Sequence, residues 1–153
     1  MRAFPSIKGF LAHLATMPAA LHTAQQHGEE AAGKALAHHA QAMIGQESDT
    51  WPALAESTVA QKRAKGQTGR ISATDPLYAT GELRTSISAR VEGDAVVLGS
   101  TDSVAPFHEF GTARMPARSF IGATMFQHGH AAADTIAEHM IAAVAGNPPP
   151  AKP

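Results

Sequence analysis

Ile87–Gly99 reads ISARVEGDAVVLG, and its periodicity changes halfway along. Ile87, Ala89 and Val91 alternate with Ser88 and Arg90, which is the two-residue period of a half-buried strand. Glu92-Gly93-Asp94 supplies a turn, and Ala95–Gly99 returns as a second strand centred on Val96 and Val97. The stretch predicts a β-hairpin. Long segments on either side carry a helical period instead, so the hairpin sets the fold class as α+β rather than all-helical.

Upstream, Ile7, Phe10, Leu11 and Leu14 recur at i, i+3, i+4 and i+7, the apolar stripe of a first helix. Pro18 breaks that pattern, and a second helix is predicted from there to Ile44. Its buried side is expected to hold Leu21, Ala24, Ala31, Ala32, Ala35, Leu36, Ala42 and Met43, with Gly45 as a stop. Gln46–Pro52 reads as a loop anchored by Trp51, the single tryptophan. Ala53–Lys65 is a short helix, and Gly66–Pro76 a mobile loop rich in small polar residues. Thr80-Gly81-Glu82-Leu83 has the form of a helical turn capped by the Thr80 hydroxyl.

Downstream, Asp102 can cap a short helix running through Phe107 to Phe110 and closed by Gly111. Pro116–Ile121 is expected to be extended, because the residue before a proline disfavours helix and Phe120 and Ile121 suit a sheet. A last helix spans about Ala123–Ala145, with Ile136, Met140, Ile141 and Val144 as its apolar stripe. The expected architecture is one domain over residues 1–146. N-terminal helices (1–45) precede a body (51–146) in which the C-terminal helix packs across a small antiparallel sheet. Residues 147–153, with three consecutive prolines, form a disordered tail.

The totals narrow the function classes. The chain has 153 residues, 44% hydrophobic but only 5% aromatic, so much of its core must be alanine and assembly would help to stabilise it. It contains no cysteine, which removes disulfides and thiolate metal sites. A formal charge of −1 gives no global attraction to nucleic acid. The start has Arg2 and Lys8 ahead of an apolar stretch, as a signal peptide does. His13, Pro18 and His22 interrupt that stretch, and its helical spacing reads as an amphipathic helix. No apolar run approaches the roughly 20 residues of a membrane span.

Three constellations invite chemistry. The nine histidines lack metal geometry: His38 and His39 are adjacent and diverge on a helix, and His128 and His130 lie in a predicted helix. His108-Glu109 beside Ser103 or Thr112 suggests a triad, but no nucleophile elbow occurs, and Gly81, Gly93 and Gly99 form no nucleotide loop. The sequence therefore predicts no catalytic residue, metal site or cofactor. Lys62, Arg63, Lys65 and Arg70 form a basic stretch with no intervening acid. One copy would bind phosphate weakly, whereas a ring of copies would multiply those charges around a channel.

The most specific string is His108–Gly122, HEFGTARMPARSFIG. Arginine interleaved with aromatics and methionine is the composition of a protein–protein contact. Phe107, His108, Glu109, Phe110, Gly111, Arg114, Met115, Arg118 and Phe120 are the expected interface residues. Arg118 is expected to pair with a neighbour's acid or carbonyl, with Phe120 as a buried anchor. The hairpin Ile87–Gly99 would form the complementary face that a closed ring needs.

The chain resembles the tail-completion and neck (head–tail joining) proteins of long-tailed bacteriophages, including Mu-type virion morphogenesis proteins. The matching pieces come in order: Trp51-Pro52-x-Leu54, Thr58 and Lys62; Thr80-Gly81-x-Leu83 and Ser86-Ile87; Val97-Leu98-Gly99-Ser100; then Ala105, His108-Glu109-Phe110-Gly111, Met115-Pro116-Ala117-Arg118, Phe120 and Gly122. Val104, Ser119 and Ile121 depart from the residues common there. The resemblance implies a non-enzymatic virion protein that forms a ring, commonly a hexamer, at the tail end or neck. Its partners would be the tail-tube and connector proteins, with genomic DNA passing through the lumen and touched without sequence reading. It would sit in the virion after assembly in the host cytoplasm, with no membrane contact. The alternative from the residues alone is a cytosolic nucleic-acid-binding module using residues 62–70.

Overall fold

The computed structural model describes residues 6–67, 72–147 and 150. The fold is α+β: a long helix α1 (Ile7–Met43), then α2 (Glu56–Ala64), α3 (Glu82–Ser86), the hairpin β1 (Ile87–Glu92) and β2 (Ala95–Ser100), α4 (Ala105–Phe110) and α5 (Ile121–Val144). The hairpin has the predicted strands and pairs Glu92 with Ala95 and Ile87 with Ser100 in antiparallel register. Gly93 takes φ +61°, the positive value that a primed two-residue turn demands.

The N-terminal region differs from its prediction. Pro18 lies inside one continuous helix of 37 residues. Proline removes one helical hydrogen bond and costs about 3 kcal/mol in a helix interior. Antiparallel packing of α5 holds the helix on both sides of that position: the His13 imidazole Nε2 lies 3.4 Å from the Val144 carbonyl, and Gly28 lies against Ile136. The start of the helix is capped by the Ser6 hydroxyl, which accepts the Gly9 N–H at 3.1 Å.

The C-terminal helix also packs elsewhere than expected. Helix α5 runs along α1, and the hairpin packs on α1 as well, while neither strand makes comparable contact with α5. Helix α1 is therefore the spine shared by both, and two of its glycines explain how. A Cβ on Gly28 would sit 2.8 Å from the Ile136 Cα, and one on Gly33 would sit 3.2 Å from the Ala89 Cβ and 3.3 Å from Val96 Cγ1. Small residues thus seat α5 and the hairpin at adjacent points of one helix. We expect Gly28→Ala to destabilise the protein by about 1–2 kcal/mol, because backbone cannot yield as a side chain can; this overpacking exceeds the gain in helix propensity. Urea unfolding checks it, and a stabilised variant would show that the helices stand further apart.

The main core cluster gathers Ala40, Ile44, Leu83, Ile87, Ala105 and Phe120, with Met43, Trp51, Leu77, Tyr78, Leu98 and Ile121 packed around them. It lies where the end of α1, the start of β1, α4 and the start of α5 meet. Pro116–Ile121 does not join a sheet: β1 and β2 are the whole sheet among the described residues, and Phe120 turns into the start of α5. The predicted stripe of α5 is only partly inward. Ile136 and Met140 are half-buried, whereas Ile141 and Val144 are exposed, and Thr124 and His139 are the buried residues of that helix. On α1 the prediction holds for Ala24, Ala32 and Leu36, but the buried side also takes Gly28, Glu29, Gly33, Ala37 and Ala40. Residues 148–149 and 151–153 of the predicted disordered tail, and residues 68–71 of the predicted mobile loop, lie outside the described residues.

Candidate assembly surface

The segment from α4 into α5 is organised by Glu109. Helix α5 begins at Ile121 with no side-chain cap of its own, so its first N–H groups need acceptors. Glu109 supplies them from 11 to 13 residues upstream. Its Oε2 accepts the Phe120 N–H at 2.9 Å and the Ile121 N–H at 3.0 Å; its Oε1 accepts the Gly122 N–H at 2.8 Å and the Ser119 hydroxyl at 2.6 Å. Burial by itself would raise the carboxyl's pKa. The Ser119 hydroxyl, followed by the Gly122, Phe120 and Ile121 N–H groups, outweighs it, and the pKa falls below the usual carboxylate value. The positive end of the helix favours the same charged form.

Gly111 makes the approach possible. It takes φ +75°, and a Cβ there would lie 2.7 Å from the Ala117 nitrogen and 2.9 Å from the Met115 carbonyl oxygen. Between them, Thr112 and Met115 close a tight turn: the Thr112 N–H donates to the Met115 carbonyl at 2.8 Å and the Met115 N–H to the Thr112 carbonyl at 3.2 Å. Arg114 is exposed on that turn.

Arg118 turns inward and is only 5% exposed. Its Nη2 donates to the Pro52 carbonyl at 2.8 Å and the Ala53 carbonyl at 3.2 Å, and its backbone N–H donates to the His108 carbonyl at 2.7 Å. One residue therefore ties the Trp51 loop to α4. The His108 Nδ1 and Arg118 Nε are buried with no hydrogen-bond partner among the described residues. Burial, then the adjacent Arg118 charge, lowers the His108 pKa, with Asp102 opposing. Burial likewise lowers that of the guanidinium.

The expected interface set is thus split by the fold. His108, Glu109, Arg118 and Phe120 converge inside the protomer, where Phe120 is 0% exposed. Arg118 and Phe120, expected as contacts with a neighbour, lie inside the protomer, Arg118 on the Pro52 and Ala53 carbonyls and Phe120 in the core. Phe107 and Phe110 point out, at 55% and 81% exposed, together with Val104. Met115 is half-buried. The sequence reading missed Met125 and Phe126; Phe126 is 89% exposed. It stands one helical turn beyond Gly122, on the side of α5 that meets Glu109, so it belongs to the same end of the molecule. The local pattern held no signal for it, because at 100° per residue Phe126 falls about 40° from Met140 on the predicted apolar stripe.

The basic stretch is divided too. Lys62 is buried, and its ammonium donates to the Asp75 carbonyl at 2.7 Å. Burial lowers its pKa against the opposing pull of Asp75. Arg63 and Lys65 are exposed, and Arg70 lies outside the described residues. Among the histidines, His39 of α1 stacks on His128 of α5 with ring centroids 3.7 Å apart. No group of three or more metal-ligating side chains gathers among the described residues. No described helix is long and apolar enough to cross a membrane.

A family model described as the phage virion morphogenesis family matches residues 6–142, from the cap of α1 almost to the end of α5. The chain belongs to this family. It is a protein of phage virion morphogenesis, from a family of structural virion proteins. Searches of the curated proteins and of the solved structures found no match. The matched span takes in the whole α4–α5 segment, so the Glu109 cap and the Arg118 tether lie within the family's own region.

Proposed function

We propose that this virion morphogenesis protein works as a ring, six copies in the simplest case, that completes the tail tube or joins it to the head. The observation that carries this reading is the exposure of Val104, Phe107 and Phe110 at α4 and of Met125 and Phe126 in the first turns of α5, two elements that Glu109 ties together. The chain holds few aromatic residues, yet three of its phenylalanines stand in solvent around one rigid cap. Such a concentration marks an assembly surface. A ring contact is heterologous, so this end meets a different face of the next copy. The hairpin is a candidate for that face, because a two-stranded sheet leaves unpaired edges. Arg63 and Lys65, repeated around a ring, would line a path for DNA. As a monomeric nucleic-acid module the chain is poorly equipped, since Lys62 is spent on the Asp75 carbonyl.

The test is the oligomer. Phe110→Asp combined with Phe126→Asp is expected to give a folded monomer, because both side chains are exposed and little packing is lost with them. Native mass measurement of the wild type should give a closed ring, and circular dichroism of the variant should match it. A wild-type monomer, or a ring indifferent to both charges, would refute the assignment of this surface.

A further inference from the structure

The loop that Arg118 holds in place also forms a pocket. Beside Trp51 lies a concavity of about 280 Å³, lined by Glu47, Asp49, Trp51, Pro52, Thr74 and Pro76 among others. That is just under the roughly 300–1,000 Å³ of small-molecule sites, and suits a few side chains of a peptide better than a cofactor. Its walls combine an indole and two prolines with two carboxylates. Neither Glu47 nor Asp49 has an ion pair or a side-chain hydrogen bond among the described residues. An aromatic-lined groove with acids on its rim is the receptor chemistry for a polyproline II segment carrying a cation.

The chain contains a proline-rich sequence with one cation, Pro148-Pro149-Pro150-Ala151-Lys152-Pro153. Prolines fix φ near the polyproline II value and so lower the entropy cost of binding, and Lys152 is the segment's only charged side chain. We propose that the Trp51 pocket takes residues 148–153 of a neighbouring copy, with Lys152 at Glu47 and Asp49.

The donor is a neighbour because a chain's own segment is too short. Trp51 belongs to the core at the Met43 end of α1, where the Thr124 hydroxyl lies 3.4 Å from the Met43 sulfur. The last residues of α5 sit at the other end, beside His13. Thr124 to Val144 spans about 30 Å at the rise of an α-helix. Lys152 lies six residues past Gly146 and reaches at most about 22 Å from it, short of that span. Exchange in trans joins two different surfaces of successive copies, which is the kind of contact a ring requires. The inference rests on the proposed ring for the identity of the donor; the pocket's preference for the segment is independent of it.

Trp51 is the sole tryptophan, so its fluorescence reports this pocket alone. Titrating a synthetic peptide of residues 146–153 into dilute full-length protein should shift Trp51 emission to the blue, and a peptide carrying Lys152→Glu should bind about tenfold more weakly. In the full chain, Lys152→Glu should weaken self-association, as should Glu47→Lys with Asp49→Lys. The three changes combined should recover it. A Trp51 signal indifferent to the peptide, with self-association unchanged by Lys152→Glu, overturns the inference and leaves the ring standing; a pocket kept for another virion protein gives this result. A peptide response from a protein that forms no ring supports the pocket assignment and removes the ring.

Discussion

Glu109→Ala should lower stability by about 2–4 kcal/mol, the cost of leaving the start of α5 without its charged acceptor. For a chain of this size that is roughly 6–12 °C in melting temperature. The carboxylate takes three backbone N–H groups and the Ser119 hydroxyl, so no single water-mediated contact replaces it. The pH dependence separates this cap from an ordinary packing contact. Because the folded pKa is depressed, the stabilisation is complete above the unfolded carboxyl value near about 4.3 and disappears as pH falls through the folded value. Glu109→Gln should therefore be clearly less stable than wild type at pH 7 and approach it in acid. A penalty that stays constant from neutral to strongly acidic pH would contradict a charged cap.

Arg118→Ala should cost about 2–4 kcal/mol, because it strands the Pro52 and Ala53 carbonyls and opens space beneath the Trp51 loop. Removal of the tether should also be visible as a red shift of Trp51 emission in the folded state. Arg118→Lys should recover only part of the loss, since an ammonium lacks the planar fork that reaches two adjacent carbonyls. Thermal melting with fluorescence on the monomeric Phe110→Asp, Phe126→Asp background isolates the effect from assembly. If Arg118→Ala leaves that background's melting unchanged and disrupts only the wild-type ring, the residue is a contact with a neighbour after all.

These two residues also show where sequence reading stops. The string HEFGTARMPARSFIG stands out because it is more specific than helix or strand periodicity requires, and that specificity suggests a contact surface. Glu109 and Arg118 owe it instead to obligations inside the protomer. One serves bare N–H groups at the start of α5, the other two carbonyls in a loop more than 60 residues upstream. Neither partner is visible in the local pattern. The exposed phenylalanines had the reverse problem. Phe107 and Phe110 stood out by their company and are exposed, whereas Met125 and Phe126 look like ordinary turns of an apolar helix until the packing side of α5 is known. Pro18 misled for a third reason: a proline signals the end of a helix, but packing on both sides of it can keep the helix intact.

The amino-acid sequence by itself determined the hairpin and its turn, because a two-residue period and a glycine at positive φ are local properties. It likewise determined the extent of α5 to within a few residues and the family, through an ordered set of short motifs. Only the tertiary structure decided which residues of those motifs face solvent. A charged side chain turns inward where distant backbone groups need a partner, and that need arises only when α1, α4, α5 and the Trp51 loop have come together. Val104, Phe107, Phe110, Met125 and Phe126, and the pocket beside Trp51, are among the surfaces left open once those internal demands are met.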